Sequence, residues 1–383
     1  MKIVFDSRWI YDKPSGIGVY AREMMCRIPR LVPDSKFVFL FRTADLCDQL
    51  MAGVDKCKNV DSLMIPYGPL SLKSQLKMPA ELSRIGADIF HTPNYMMPYL
   101  AFPHSAHRRT KCIVNIHDVI PLVVENYAPN SRTSRFKGIF RRCMKTSINR
   151  ANCVITGSEA SKKDMISSLA LTQVESDRIQ VVYDGAGGRF AASEHVPIKT
   201  DETTPRTLLY VGRMDPYKNV TGLVEALALA QKRLAFPLQL VVCGPADDRY
   251  PEARDMAEKL GIADAVRFTG FVSDEELAAL YQTSDLLAHP SRYEGFGLQI
   301  VEAMRSGLPV CCTDGGSQPE VAGDAACVVK AGDSLSMADA IAEVLSSGEM
   351  MQRMKLAGLE RAKRFDWEVC ATKTAEIYRR TLE

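Results

Sequence analysis

Short apolar runs, each closing on a polar or glycine-rich stretch, recur along the whole chain. In the first half they occupy residues 2–5, 37–41, 88–90, 112–116, 153–155 and 180–183. In the second half they occupy residues 207–211, 238–242, 266–269, 286–288, 310–312 and 327–329. Runs this short, bounded by turn formers, read as strands. Helices are predicted between them. Val19, Met24 and Ile28 are apolar positions of a helix after the first glycine loop, and Ser273 with Glu276 makes a capping box ahead of a helix running to Tyr281. Strands alternating with helices give a parallel sheet covered on both faces. The pattern lapses once, over residues 185–205, where Gly185, Gly187, Gly188 and Pro197 sit in a polar run without period. That stretch reads as a connection between domains. The expectation is an α/β chain of two doubly wound, Rossmann-like parallel-sheet domains, residues 1–184 and 206–365, joined by the linker 185–205.

Length agrees, since 383 residues exceed one core at roughly 100 to 200 residues per domain. With 48 basic and 46 acidic residues the net charge is +2, so nothing global marks a nucleic-acid binder and no such partner is expected. Eleven cysteines lie scattered, apart from Cys311-Cys312, with no Cys-x-x-Cys pair and no secretory signal. Buried reduced thiols in a cytoplasmic protein fit this better than disulfides or zinc. No apolar run reaches the roughly 18 residues of a membrane span.

Candidate chemistry concentrates where strands end. Residues 291–309 follow an apolar strand and read as a glycine loop and then a helix, in which Leu298, Val301, Glu302 and Ala303 precede Gly307. Gly295 and Gly297 let the backbone approach a ligand, and the free N–H groups of the first helical turn favour a phosphate there. Glu294 and Glu302 flank the turn. At the end of the first strand of this half, Gly212-Arg213 and Lys218 bracket an Asp215-Pro216 turn, so a guanidinium and an ammonium can converge on a diphosphate. The bland alternative is a pair of solvated cations. Gly244-Pro245 and Phe271-Val272 end the next two strands and would suit a nucleobase as an apolar wall. Neither half carries a Gly-x-Gly-x-x-Gly dinucleotide fingerprint at its first strand.

In the first half, Lys2 to Phe5 delivers Asp6-Ser7-Arg8 into a loop ending Ser15-Gly16-Ile17-Gly18, a second candidate phosphate or sugar site or simply a steric turn. His91 and His117-Asp118 follow strands; His91 reads first as a hydrogen-bonded structural group and His117 as functional. Between Ser131 and Arg150 stand seven basic residues and no acid, with Phe136, Ile139, Phe140, Met144 and Ile148 three and four apart. This basic amphipathic helix, residues 132–150, either packs on the sheet with a solvated face or docks on an anionic membrane surface, where each nearby cation contributes about 1 kcal/mol.

With these residues in place, the chain resembles the retaining nucleotide-sugar glycosyltransferases of the large group 1 family, known as family 4. The resemblance implies the GT-B fold, with two such domains facing across a deep cleft. It runs over nearly the whole length and rests on Glu-x7-Glu, met by Glu294 and Glu302, on Gly212-Arg213 with Lys218-Asn219, on residues 318–324, and on Phe365-Asp366-Trp367-Glu368. Departures are Gln299 and Gln318, where proline and an apolar residue are common, and Tyr217 before the lysine.

The resemblance implies that Arg213 and Lys218 hold the diphosphate as it leaves, that Glu302 takes the ribose and that Glu294 takes the transferred sugar. Gly295, Phe296, Gly297 and Leu298 would complete the phosphate cradle, and Gly212, Gly244 and Val272 would line the donor site. His117 would contact the donor sugar, Gly16 and Gly18 would cover donor and acceptor, and the last helix, residues 366–383, would return to the first domain. No metal or other cofactor is expected, because cations and a helix terminus stabilise the leaving group. No carboxylate nucleophile for a double displacement is evident, which favours a front-face mechanism.

The amino-terminal stretch and Ile116-His117-Asp118-Val119-Ile120-Pro121 look like O-antigen mannosyltransferases. The expected activity is therefore transfer of mannose from GDP-mannose to a glycan or lipid-linked acceptor of a bacterial surface polysaccharide, at the cytoplasmic face of the cell membrane. A UDP- or dTDP-sugar donor, an inert nucleotide-sugar-binding scaffold, and an epimerase or phosphorylase on the same sheets are the alternatives.

Overall fold

The computed structural model describes residues 1–11, 15–54, 57–104, 109–187, 190 and 201–383. The side chains of Arg132 and Ser134 lie outside that description, as do Pro14, Gly188 and Pro197 of the expected loop and linker. The chain divides into two compact units, one of residues 1–119, 136–184 and 367–383, the other of residues 120–135 and 185–366.

The first unit holds a seven-stranded sheet in the order β3-β2-β1-β4-β5-β6-β7. Its strands are β1 Lys2–Phe5, β2 Lys36–Phe41, β3 Val60–Met64, β4 Ile89–Thr92, β5 Lys111–Asn115, β6 Cys153–Thr156 and β7 Ile179–Val181. All neighbouring pairs are parallel. β4 and β6 are buried at every position, because helices cover both faces. β3 has no counterpart in the sequence expectation: it is an edge strand whose Asp61 and Ser62 are exposed, so no apolar run marks it. Phe5, Phe37, Phe39, Phe41, Phe90 and Phe102 are fully buried in this core. Helix Trp367–Leu382 packs in this unit, where Trp367 meets the Tyr20 ring edge-on at 6.2 Å and Arg27 pairs with Glu368 at 3.0 Å.

The second unit holds a six-stranded parallel sheet in the order β10-β9-β8-β11-β12-β13. The strands are β8 Arg206–Val211, β9 Leu238–Cys243, β10 Val266–Gly270, β11 Leu286–His289, β12 Val310–Thr313 and β13 Cys327–Val329. Leu223, Val224 and Leu227 of helix Val220–Gln231 and Ile341 and Val344 of helix Ser334–Ser346 pack on β8, β9 and β11. The Ser273–Glu276 capping box forms as the spacing predicts.

Three boundaries differ from the sequence reading. Residues 120–135, placed there in the first domain, pack with the second unit, where the Tyr217 N–H donates to the Tyr127 carbonyl at 3.3 Å and their rings lie 5.9 Å apart. Residues 185–187 and 190 also belong to the second unit, Ala186 bridging to Asp366. The basic stretch is two helices, Arg132–Arg135 and Lys137–Arg150, broken at Phe136. Only Met144, Ser147 and Ile148 of the longer helix are buried, whereas Phe136 and Ile139 are 57% and 62% exposed. The apolar face is thus core at one end and surface at the other. Among the described residues, no helix is long and apolar enough to cross a membrane.

Candidate active site

In the second sheet the strand order reverses between β8 and β11, and ligands of doubly wound sheets bind outside the strand ends at such a point. β8 runs out through Gly212 into Arg213 and a single turn, Pro216–Lys218; β11 ends on His289 and leads to Glu294. The two loops meet there. Lys218 Nζ lies 2.7 and 2.8 Å from the two carboxylate oxygens of Glu294, and His289 Nε2 donates to the same carboxylate at 3.0 Å. Burial opposes ionisation of Glu294, but the Lys218 charge and the His289 bond outweigh it and hold the carboxyl well below its ordinary range. Burial likewise opposes the Lys218 charge, and Glu294 overrides it and raises the ammonium above its ordinary value. Tyr210 stacks on His289 at 6.3 Å and confines the ring.

Arg213 does not join that pair. It is 61% exposed and grips the buried Asp215 through Nε at 2.7 Å and Nη2 at 2.9 Å. Those bonds use two of the five guanidinium donors.

The Glu294 loop is held by the turn after β12. Ser317 Oγ donates to the Phe296 carbonyl at 2.8 Å, and the Ser317 N–H donates to the Glu294 carbonyl at 3.0 Å. Gln318, fully buried, donates to the Ser291 carbonyl and to Thr313 Oγ1, both at 2.8 Å. An apolar residue at 318 could not do this. Gly316, at φ +65°, has the Glu294 carbonyl oxygen 2.4 Å from where a Cβ would stand, so the approach requires glycine. Gly295, Phe296 and Gly297 are buried, and Leu298 opens helix Leu298–Arg305 behind Gly297 as N-cap. Glu302, one turn in, accepts from the Tyr281 hydroxyl at 2.8 Å. On the other side Gly244 donates to the Gly270 carbonyl, and a Cβ on it would stand 1.9 Å from the Gly212 oxygen. Val272 is half-buried and Phe271 is 51% exposed beside that strand end.

The first unit carries its own cluster. The Asp6 N–H donates to the His91 carbonyl at 2.9 Å where that sheet reverses between β1 and β4. Arg8 is buried against Asp6, with Nε to Oδ1 at 2.7 Å, and reaches the Tyr67 carbonyl at 3.2 Å, so it fastens the loop. Gly16 and Gly18, expected in a loop, form the first turn of helix Gly16–Leu31, and Ser15 Oγ accepts from the Gly18 N–H at 3.1 Å. Gly16 stays exposed. His117, half-buried, donates from Nε2 to the Pro93 carbonyl at 3.1 Å and meets the Tyr20 ring edge-on at 5.4 Å. That bond puts a proton on Nε2. His91 is the structural histidine of the pair: fully buried, bonded to Tyr378 and Asn115, and held by burial down to about 4.

Thus Lys218, Glu294 and the glycine turn are brought together, with Gly212 and Gly244 at neighbouring strand ends. Asp215, His289, Ser317 and Gln318 are the partners that the sequence reading missed. His289 had a signal, since it ends a strand as His91 does.

The description "Glycosyl transferases group 1" fits residues 193–361, and "Glycosyltransferase Family 4" fits residues 14–186. The chain belongs to the group 1, family 4 glycosyltransferases. It is a hexosyltransferase with the GT-B fold of two parallel-sheet α/β domains. O-antigen chain mannosyltransferase B of Escherichia coli is 29% identical over 99% of this chain and 100% of its own. Among solved structures, sucrose-phosphate synthase from Thermosynechococcus elongatus aligns at a TM-score of 0.76 with 20% identity, covering 99% of this chain and 98% of that one. HepE of Anabaena, solved with UDP and glucose, aligns at 0.74 with 19% identity, covering 99% and 100%. Within this family frame, the Glu-x7-Glu carboxylates sit on either side of the turn into helix Leu298–Arg305.

Proposed function

We propose that this glycosyltransferase moves mannose from GDP-mannose, with retention at the anomeric carbon, to a glycan or lipid-linked acceptor of a bacterial surface polysaccharide. The buried Lys218–Glu294 pair at the strand-order reversal carries the site assignment, and the full-length likeness to O-antigen chain mannosyltransferase B supports the sugar. Lys218 and Arg213 retain donors beyond their carboxylate bonds, and these face the diphosphate as negative charge develops on it. The N–H groups of the 295–298 turn add to that field. Glu302 takes the ribose hydroxyls, and Gly244 and Val272 line the base. Glu294, fixed by Lys218 and His289, orients the sugar. The leaving phosphate oxygen takes the acceptor proton on the front face, without metal. The chain works at the cytoplasmic face of the membrane, through the basic stretch 132–150 with exposed Phe136 and Ile139.

Incubation with GDP-mannose and extracted lipid-linked acceptor in the presence of a chelator tests this reading. Mannosylated product with the donor's anomeric configuration is the predicted result. Transfer only from UDP- or dTDP-sugars would overturn the donor, and an inverted linkage would overturn the mechanism.

A further inference from the structure

Tyr217 stands directly before Lys218, departs from the family pattern, and has no part in the donor chemistry described above. Its backbone is fixed at both ends. The N–H donates to the Tyr127 carbonyl at 3.3 Å, and the carbonyl accepts from the N–H of Arg292, two residues before Glu294, at 2.7 Å. The loops after β8 and β11 and the segment 120–135 are thereby joined at one residue of the second unit. The ring is set as well. It lies 5.9 Å from the Tyr127 ring at an interplanar angle of 50°. Tyr127 is itself held, its hydroxyl 3.0 Å from Ser131 Oγ, and Asn130 in the same segment donates its N–H to the Tyr250 hydroxyl at 3.3 Å. Over the Tyr217 ring sits the Lys218 ammonium, with Nζ 4.9 Å from the ring centroid.

Nζ thus has two neighbours of different kind, the Glu294 carboxylate at 2.7 and 2.8 Å and an aromatic face. The carboxylate claims N–H donors, whereas the ring attracts the same charge through its quadrupole and needs no directed bond to do so. Such an attraction is strongest for a desolvated cation, and Lys218 is buried. A basic side chain at 217 would instead repel the ammonium. We infer that Tyr217 is a positioning residue for the transfer: its ring face holds the Lys218 ammonium where it meets the diphosphate, and leaves the N–H groups not taken by Glu294 for the phosphate oxygens. The inference rests on the placement of Lys218 at the leaving group proposed above. Because that negative charge develops as the bond to the sugar breaks, loss of the ring falls on kcat more than on KM.

Tyr217→Leu removes the ring and keeps both backbone donors and acceptors, and Tyr217→Phe restores the face without the hydroxyl. Each full-length variant is assayed below its unfolding midpoint. Steady-state transfer from GDP-mannose should show kcat down about tenfold in Tyr217→Leu, with KM changed by less than about threefold. Tyr217→Phe should recover kcat to within about threefold of wild type, and Lys218→Ala should show no measurable transfer. In protein carrying isotope-labelled lysine, the proton signal of the Lys218 ammonium, identified by its loss in Lys218→Ala, should keep its upfield ring-current shift in Tyr217→Phe and lose it in Tyr217→Leu. Wild-type kinetics in Tyr217→Leu beside an inactive Lys218→Ala would overturn the positioning role and leave the donor site standing. Full transfer by Lys218→Ala would overturn both. Equal losses in the Leu and Phe variants would assign the effect to the hydroxyl and overturn the part given to the ring. If GDP-mannose supports no transfer by wild type, the donor reading fails; the ammonium signal then decides the ring, and one unmoved by Tyr217→Leu would overturn this inference too.

Discussion

Lys218 and Glu294 stand 76 residues apart in sequence, yet the ammonium lies 2.7 and 2.8 Å from the two carboxylate oxygens, with side-chain exposures of 10% and 7%. Removing one partner of such a pair strands the other charge at a cost of about 3–5 kcal/mol. Lys218→Ala and Glu294→Ala should each lose stability on that scale in denaturant unfolding. Lys218→Ala/Glu294→Ala should lose less than the sum, giving a coupling energy of at least about 1 kcal/mol. Additive losses would show that the pair does not form in solution.

Asp184, just beyond β7, is 6% exposed, and burial pushes its carboxyl from 3.8 up to about 6, only partly offset by His117. An acid whose folded pKa is raised favours the fold below its unfolded value, and that benefit is lost as pH rises through the folded value. Asp184→Asn should therefore be more stable than wild type at pH 8 by about 1–3 kcal/mol, with the gap closing below about pH 4. Glu294 runs the other way: its depressed folded pKa gives stability present above 4.5 and lost as the pH falls below that. Thermal unfolding from acid to pH 8 reads both limbs, and a variant no more stable at pH 8 would contradict the Asp184 assignment.

The carboxy-terminal helix is tied to the first sheet by one side chain in particular. Tyr378 donates to His91 Nδ1 at 2.6 Å, and His91 Nε2 donates to Asn115 Oδ1 at 2.6 Å, with all three residues buried. Tyr378→Phe keeps the ring but strands the Nδ1 lone pair, at about 1–3 kcal/mol. Unfolding at neutral pH should show that loss; an unchanged midpoint would mean that water or another donor replaces the hydroxyl.

The strands were legible because parallel strands covered on both faces are written as short apolar runs. β3 was not, because an edge strand bearing Asp61 and Ser62 needs no such run. Glu294, Lys218 and the glycine turn were legible as residue types at strand ends, but their pairing across 76 positions was not, since strand order is a tertiary fact. Arg213 was expected to act beside Lys218, and Asp215, read only as part of a turn, is what claims it. Residues 120–135 joined the wrong domain because continuity in sequence says nothing about which core a segment packs on. Gln318 looked like a departure from the family pattern, and its two amide N–H groups, with oxygens of Ser291, Thr313 and Gly315 all within 3.1 Å of the nitrogen, explain its place.

The most direct measurement is calorimetric titration of GDP-mannose and of the matching UDP-sugar into wild type, Lys218→Ala and Arg213→Ala. Arg213→Ala strands the buried Asp215 carboxylate as Lys218→Ala strands Glu294, so each variant is titrated at a temperature where its unfolding curve shows it folded. The account predicts that wild type binds GDP-mannose more tightly than the UDP-sugar and that each variant weakens it by about tenfold or more. Equal affinity in wild type and Arg213→Ala, with Lys218→Ala folded and also unaffected, would contradict the donor site at the β8–β11 reversal.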